Sequence, residues 1–345
     1  MGSNADEPEH NLLPDVGNAT AKRLLMIRPG SGHKGSALPE LRNRSVRLRS
    51  VTKGEQRVQA GILGPLYVRV GPITTVPSAP KLRNILTTLV VHAGQLVPAS
   101  SLMAELWEDD LPRSGLTTLQ TYILALRKLF AHALGRPFHE VSQDLIVTRA
   151  GGYVLNAGSI DLDLHRYNAL VVAGREALSA GDDSTGIAKL GEALGVWRGP
   201  ALVDVTGGRV LESRRRQMEE SRLIVIEYMI DAQLRLGMFR EVLPELVALT
   251  SSNPLHEGLH GQYMRALNSS GRRGQALKVF RELRDNLVEE LGLEPGAQVQ
   301  RLHQAILNAD DRLEADEQPA PVLNRPSRRL LEEISYVDFP STLAS

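Results

Sequence analysis

A mainly α-helical chain with a small β component is what the sequence predicts, and three observations predict it. Short apolar runs divided by Gly64-Pro65 and Gly71-Pro72 lie between Val58 and Pro77, three stretches of helical period follow, and two β runs around Gly151-Gly152 close the block at Leu155. Strands, three helices and a hairpin, in that order, describe a winged helix-turn-helix with an N-terminal sheet. From Asp161 to about Leu313 the pattern is helical throughout and carries an internal offset of 34 residues, so an all-α tetratricopeptide-like domain is expected there.

Each element has its own signal. Ile62-Leu63 and Leu66–Val70 are the apolar stretches expected as short antiparallel strands. Lys81–His92 places Leu82, Ile85, Leu86, Leu89 and Val90 at helical spacing, with Gly94 as the stop. A second helix is expected from about Ser100 to Trp107, and a third from about Ser114 to Leu134. Leu145–Leu155 supplies the hairpin. In the helical half, Ala232 and Gly237 recur as Ala266 and Gly271, and Val242-Leu243 is matched by Ala276-Leu277. Small residues at such a period sit where paired helices cross closely. The expected organisation is a disordered basic leader over 1–57, a winged-helix domain over 58–157, the repeat domain over 160–313 and a flexible tail over 314–345.

Bulk composition bounds the function. With 345 residues, 42% of them apolar, the chain can bury two ordinary cores. The 40 Lys and Arg balance the 40 Asp and Glu, so any attraction to a polyanion has to come from local distribution. Residues 20–57 hold ten cations against two acids, a net of +8, which makes either a polyanion-attracting arm or a solvated tail. The block from Val58 to Asn156 carries eight cations and six acids, so each copy should grip a phosphate backbone only modestly and gain from repeated sites. The chain contains no cysteine, which removes disulfides, thiolate metal sites and cysteine nucleophiles. No apolar run approaches the roughly 18 residues of a membrane span, so a cytoplasmic protein without membrane partner is expected.

The third helix holds the candidate site. Leu119, Ile123, Leu126 and Phe130 form one stripe and should pack inward. Outside remain Thr117, Thr118, Gln120, Thr121, Leu124, Arg127 and Lys128, neutral hydrogen-bonding groups first and cations last. In a major groove Gln pairs with adenine edges, Thr offers a hydroxyl and a methyl, Leu124 meets a thymine methyl, and Arg or Lys grips phosphate or guanine. A plain solvated helix would show a similar polar stripe. The neighbours favour nucleic acid: Arg149 on the hairpin is placed for the adjacent minor groove, and Lys81 and Arg83 at the start of the first helix for phosphate.

These residues also carry a resemblance. Leu119-Gln-Thr-Tyr-Ile-Leu-Ala-Leu-Arg-Lys-Leu129 followed by Val147-Thr-Arg-Ala-Gly-Gly-Tyr153 resembles the recognition helix and wing of OmpR-type winged-helix regulators. Ala193-Leu-Gly-Val-Trp-Arg-Gly-Pro-Ala-Leu202, Asn253-Pro-Leu-His-Glu257, Ala266-Leu-Asn-Ser-Ser-Gly-Arg272 and Glu289-Glu-Leu-Gly-Leu-Glu-Pro295 resemble the bacterial transcriptional activator domain. The two halves in this order resemble the Streptomyces antibiotic regulatory protein (SARP) family over about Val58 to Leu313. The resemblance implies a cytoplasmic activator of secondary-metabolite gene clusters. It would bind direct repeats near promoters and recruit RNA polymerase holoenzyme through its sigma factor; self-association on DNA is a further expectation, and no cofactor, metal or catalytic set is expected. Asp204–Arg209, after Trp197-Arg-Gly-Pro, is shorter and richer in glycine than the family pattern.

Two rival readings stand beside this one. A tetratricopeptide scaffold would bind proteins with the same helical half. A zinc hydrolase would use His256-Glu-Gly-Leu-His260, a literal HExxH in which two His at i and i+4 of a helix chelate zinc and Glu257 activates water. Against it, Tyr263 and Ala266 occupy the positions of the extended motif's Gly and His, and Leu259, Met264 and Leu267 read as inward positions of a repeat helix. Glu282 is the remaining candidate third ligand. His92, His132 and His165 show no ligand spacing, Gly61-x-x-Gly64 lacks the Lys-Ser/Thr of a phosphate loop, and Trp197 between Leu194 and Leu202 is expected as a packing anchor. Replacing Arg127 and Lys128 with Ala is expected to weaken duplex binding across sequences and flatten its salt dependence, whereas replacing Gln120 or Thr121 should shift sequence preference; salt-titrated binding to varied duplexes measures both.

Overall fold

The structure, a computed structural model, describes residues 57–108 and 110–308. The basic leader and the C-terminal tail expected from the sequence lie outside the described residues. The described part divides into two compact units, residues 57–167 with Gly195–Glu212, and Asn168–Leu194 with residues 213–308.

The first unit begins with a four-stranded sheet. Strands β1 (Val58–Gly61), β2 (Tyr67–Val70) and β3 (Ile73–Thr74) form an antiparallel meander, and β7 (Ile160–Leu162) adds to β1 in parallel, Val58 opposite Ile160. Burial alternates along the ladder: Val58, Ala60, Val68 and Val70 face inward while Gln59 and Arg69 face water, the period of two that a one-sided sheet demands. The expected strand at Ile62-Leu63 is instead a buried turn, with β1 lying just before it. The Ile62 and Leu63 amides are taken by the Asp163 carboxylate at 2.9 and 3.1 Å, so they have no ladder partner to seek. Strand β7 was also not foreseen, because three residues carry too little period to stand out.

Three helices follow close to their expected limits: α1 (Pro80–Val91), with Pro80 at its first position, α2 (Ala99–Trp107) and α3 (Gly115–Leu134), closed by Gly135 at φ +59°. Ile85, Leu86, Leu89, Leu102, Leu119, Ile123, Leu126 and Phe130 are the buried knobs of this core. A short α4 (Phe138–Asp144) was not anticipated; Arg136 ties it down by bonding Glu140 at 2.9 Å and Asp144 at 2.7 Å. The hairpin β5 (Ile146–Arg149) and β6 (Gly152–Leu155) forms as read, and β4 (Leu96–Pro98) joins β6 to make a three-stranded sheet.

Residues 195–212, from within the block expected to be the repeat domain, pack onto this first unit as a strap. Arg198 donates to the Pro65 carbonyl at 2.6 Å and pairs with Asp163 at 3.2 Å, and its guanidinium lies 4.4 Å from the Tyr67 ring centre. Trp197, buried, meets Tyr167 edge to face at 5.7 Å, the packing role expected of it. Asp204 accepts the Leu66 amide at 2.7 Å and pairs with Arg83 at 3.2 Å, while Asn84 donates to the Thr206 carbonyl at 2.6 Å.

The second unit is helical. It contains the greater parts of α5 (Asp163–Ser179) and α7 (Arg209–Arg235), with α6 (Asp183–Leu194), α8 (Leu243–Ser252), α9 (Glu257–Ser269), α10 (Arg273–Leu291) and α11 (Ala297–Asn308). The offset of 34 residues is visible as one repeated helix ending. Gly237 and Gly271 adopt φ +74° and +76°, and the amides of Met238 and Arg272 reach back to the carbonyls of Gln233 and Leu267. Gly181, at φ +82°, repeats the pattern, Asp182 bonding Ala177. Left-handed glycine here closes the first helix of each pair and lets the chain turn at once into the second. Ala232 and Ala266 are fully buried, as small residues at a close helix crossing should be. No helix among the described residues is long and apolar enough to cross a membrane.

Truncating Asp163, whose side chain is only 6% exposed, leaves two amides without their acceptor and removes the carboxylate that pairs with Arg198. Asp163→Ala is expected to cost about 3 kcal/mol in denaturant unfolding, the range for stripping one partner from a buried charged pair.

Candidate nucleic-acid interface

Helix α3 is divided into two faces. Leu119, Ile123, Leu126 and Phe130 are at most 1% exposed, and this stripe fixes the helix's rotation. Thr117, Gln120, Thr121, Leu124 and Lys128 are exposed on the opposite side, spaced so that they form one continuous row, with Thr118 half-buried beside it. A helix of about 10–12 Å diameter matches a major groove about 12 Å wide.

The threonines are more restricted than their identity alone implies. Thr118 and Thr121 donate their hydroxyl protons to the carbonyls of Ser114 and Thr117, each at 3.0 Å. What they present outward is acceptor lone pairs and methyl groups, suited to base amino groups and the thymine methyl. Gln120 has no hydrogen-bonded partner among the described residues and keeps both its donor and acceptor for a ligand. Leu124, 42% exposed, and Leu116, 50% exposed, put apolar surface on the same side.

The cations divide into two groups. Arg127 is half-buried: its Nε and Nη2 donate to the Ile146 carbonyl at 2.9 and 2.8 Å, and Nη2 also to the Thr148 hydroxyl at 2.8 Å. Burial draws its pKa below the usual arginine value, partly offset by Tyr153. Arg127, expected to grip phosphate or guanine, here braces α3 to the wing strand β5. Arg83 is likewise committed, its guanidinium bonding Asp204 and the Pro77 carbonyl, in place of the phosphate contact expected of it. Lys81 is exposed, with its ammonium 5.0 Å from the Trp107 ring centre. Lys128 on α3 and Arg149 on the wing are exposed and have no ion pair among the described residues.

The wing is shaped by backbone constraints. Gly151 at its tip has φ +80°, and a Cβ on Gly152 would run into the backbone of Val97 and Pro98 on β4, so glycine is required at both positions. Arg113, exposed in the connection before α3, joins the candidate cations; the sequence reading missed it because a lone arginine outside any helical period carries no pattern.

The HExxH residues lie in the second unit. His256 is the N-cap of α9, at φ −85° and ψ 95°, not a helical residue; its Nδ1 accepts the Leu259 amide at 3.3 Å and stands 3.6 Å from Glu227. His260 is buried, its Nδ1 on the His256 carbonyl at 3.0 Å, and burial lowers its pKa. The two rings thus do not share the helical i, i+4 face on which zinc chelation depends. Leu259, Met264 and Leu267 are fully buried, as expected for a repeat helix. Glu282 is exposed and pairs with Lys278 at 3.2 Å, and the described residues contain no group of three His or carboxylate side chains able to hold a metal.

Comparison with known proteins covers both halves. Residues 74–155 match the family described as Transcriptional regulatory protein, C terminal, and residues 162–307 the Bacterial transcriptional activator domain. The regulatory protein DnrI of Streptomyces peucetius is 41% identical over 264 residues, covering 76% of this chain and 97% of DnrI. The transcriptional regulator RedD of Streptomyces coelicolor is 32% identical over 281 residues, 81% of this chain and 76% of RedD. The regulatory protein AfsR of Streptomyces griseus is 34% identical, but this chain spans only 28% of it. Among solved structures, Mycobacterium tuberculosis EmbR in complex with a low-affinity phosphopeptide superposes with a TM-score of 0.67 at 30% identity, over 74% of this chain and 66% of EmbR.

Arg127 and Lys128, adjacent in sequence, should behave differently. Lys128→Ala is expected to lower the salt slope of duplex binding by about 1 with the thermal midpoint unchanged. Arg127→Ala leaves the wing brace unmade and should lower stability by roughly 1–2 kcal/mol, measured by thermal melting beside the binding titration.

Proposed function

Because this chain belongs to the SARP family of DNA-binding transcriptional activators, we propose that α3 enters the major groove of promoter direct repeats while the β5–β6 wing follows the adjacent minor groove. The observation that carries this reading is the row Thr117, Gln120, Thr121, Leu124 and Lys128, exposed as one stripe on a helix whose opposite stripe is buried and whose cation Arg127 is spent on holding the wing. Gln120 reads an adenine edge, Thr117, Thr118 and Thr121 accept from base amino groups, and Leu124 meets a thymine methyl. Lys128, Arg149, Lys81 and Arg113 bind phosphate or the minor-groove edge, and Arg83 acts inside the protein.

Among the described residues few free cations face the duplex, so the described part of one copy binds weakly and a useful affinity comes from neighbouring copies on repeated sites. The helical unit then supplies the activating function: paired helices stacked by close small-residue contacts present a surface to a neighbouring copy and to RNA polymerase holoenzyme with its sigma factor. The genes served are those of a secondary-metabolite cluster, by analogy with the Streptomyces regulators the chain is similar to. The mechanism is recruitment without bond-making chemistry, in the cytoplasm at the nucleoid.

Footprinting on the promoters beside its own gene is expected to protect two or more direct repeats, with purified holoenzyme extending the footprint toward the start site. Inserting about 5 bp between the repeats, half a helical turn, should abolish joint occupancy while leaving each single site bound. Uniform, sequence-independent protection would overturn the reading.

A further inference from the structure

The strap that crosses the first unit ends at a helix start seated on the helix-turn-helix itself. Glu105, on α2, is 4% exposed, and its carboxylate accepts the amides of Val210 at 2.9 Å and Leu211 at 3.2 Å, in the first turn of α7. A carboxylate at a helix amino end satisfies amides that have no partner inside the helix and meets the positive end of its dipole. Burial pushes the Glu105 pKa up, while the Val210, Leu211 and Gly208 amides oppose that rise, so the ionised form depends on the strap for its solvation.

The unusual glycines of the strap follow from this contact. A Cβ on Gly208 would stand 3.0 Å from both the Glu105 carbonyl oxygen and its Oε2, and one on Gly207 would meet Glu105 Oε1 at 3.0 Å besides colliding with Leu211. A side chain at 208 would press directly on Glu105, and one at 207 would also displace Leu211, so the two glycines let the α7 amides approach this carboxylate closely.

Helix α2 is consequently held at both ends. At its start the Ala99 amide bonds the Gly151 carbonyl of the wing tip at 2.8 Å. Near its finish Glu105 is held by the strap. Three residues later, Glu108 takes φ +48°, a left-handed geometry that costs a non-glycine residue energy and persists only where the surroundings enforce it. The connection to α3 leaves from there.

We propose that Glu105 is a positioning residue for DNA reading: by anchoring α2 to the Gly195–Glu212 strap, it fixes the departure of the chain into α3 and hence the register of the α3 row on the bases. This rests on the reading of α3 as the recognition helix. It makes part of the activator-domain sequence a component of the DNA reader, so the winged-helix block alone is an incomplete one.

The test compares full-length Glu105→Ala, Glu105→Gln and Gly208→Ala with the parent chain on a duplex carrying the footprinted repeats and on a scrambled duplex, over a range of salt. Glu105→Ala and Gly208→Ala should each lower the ratio of specific to non-specific affinity by roughly tenfold, the worth of one well-made base contact, with an unchanged salt slope because the phosphate contacts remain. Glu105→Gln, which keeps an acceptor oxygen for one of the two α7 amides but turns its NH2 toward the other, should restore only part of the ratio. Amide exchange in α2 and the start of α3 should quicken in the two alanine variants. If Glu105→Ala fails to fold, Gly208→Ala decides. Specificity and exchange at parental values in a folded variant overturn the positioning role, whereas a parent chain that does not prefer the repeats overturns the assignment of α3 itself.

Discussion

Carboxylates that accept backbone amides hold the first unit together, two of them buried (Asp163 and Glu105) and one exposed (Asp204). Asp163 takes the amides that follow β1 and the guanidinium of Arg198, Asp204 takes the Leu66 amide and Arg83, and Glu105 takes the first amides of α7. Each lies between the strap and a different part of the unit: the sheet, the start of α1, and α2. A carboxylate removed from water is costly, and the raised pKa values of Asp163 and Glu105 register that cost, burial being the largest cause in both. The arrangement is tolerated because each acid has several donors converging on it.

That constraint reassigns the cations. Arg83 and Arg127 look like DNA-binding residues by type and position, and both also make contacts within the protein, Arg83 to Asp204 of the strap and Arg127 bracing α3 to β5. Charge left for a polyanion is small, and neutral groups dominate the outer row of α3. The proposed reader would discriminate by base edges on a well-fixed helix and gain affinity from neighbouring copies.

The repeat unit follows a different logic. Its order comes from local pieces used again: a buried alanine, then a left-handed glycine, then an amide returning to a carbonyl five residues earlier. The HExxH string shows how such a unit can mimic chemistry. Its first histidine caps a helix and its second lies buried in that helix, so letters spaced for zinc do the work of a helix start.

Sequence by itself determined what local periodicity encodes: the three helices of the winged-helix block, the inward stripe Leu119, Ile123, Leu126 and Phe130, the hairpin around Gly151-Gly152, the repeat offset and the polar row of the candidate site. Those features depend on neighbours within a few residues, and period and turn chemistry record them directly. Tertiary structure alone decided which of the candidate cations have protein partners, because Asp204 lies 121 residues from Arg83 and the partners of Arg127 lie 19 and 21 away. It also decided that Gly195–Glu212 joins the first unit, and why Gly207 and Gly208 are glycines. At Gly208 the reason is the closeness of Glu105, about a hundred residues earlier in the chain, while Gly207 lies against both Leu211 and Glu105, and no pattern along a sequence records a contact made only when the chain returns on itself.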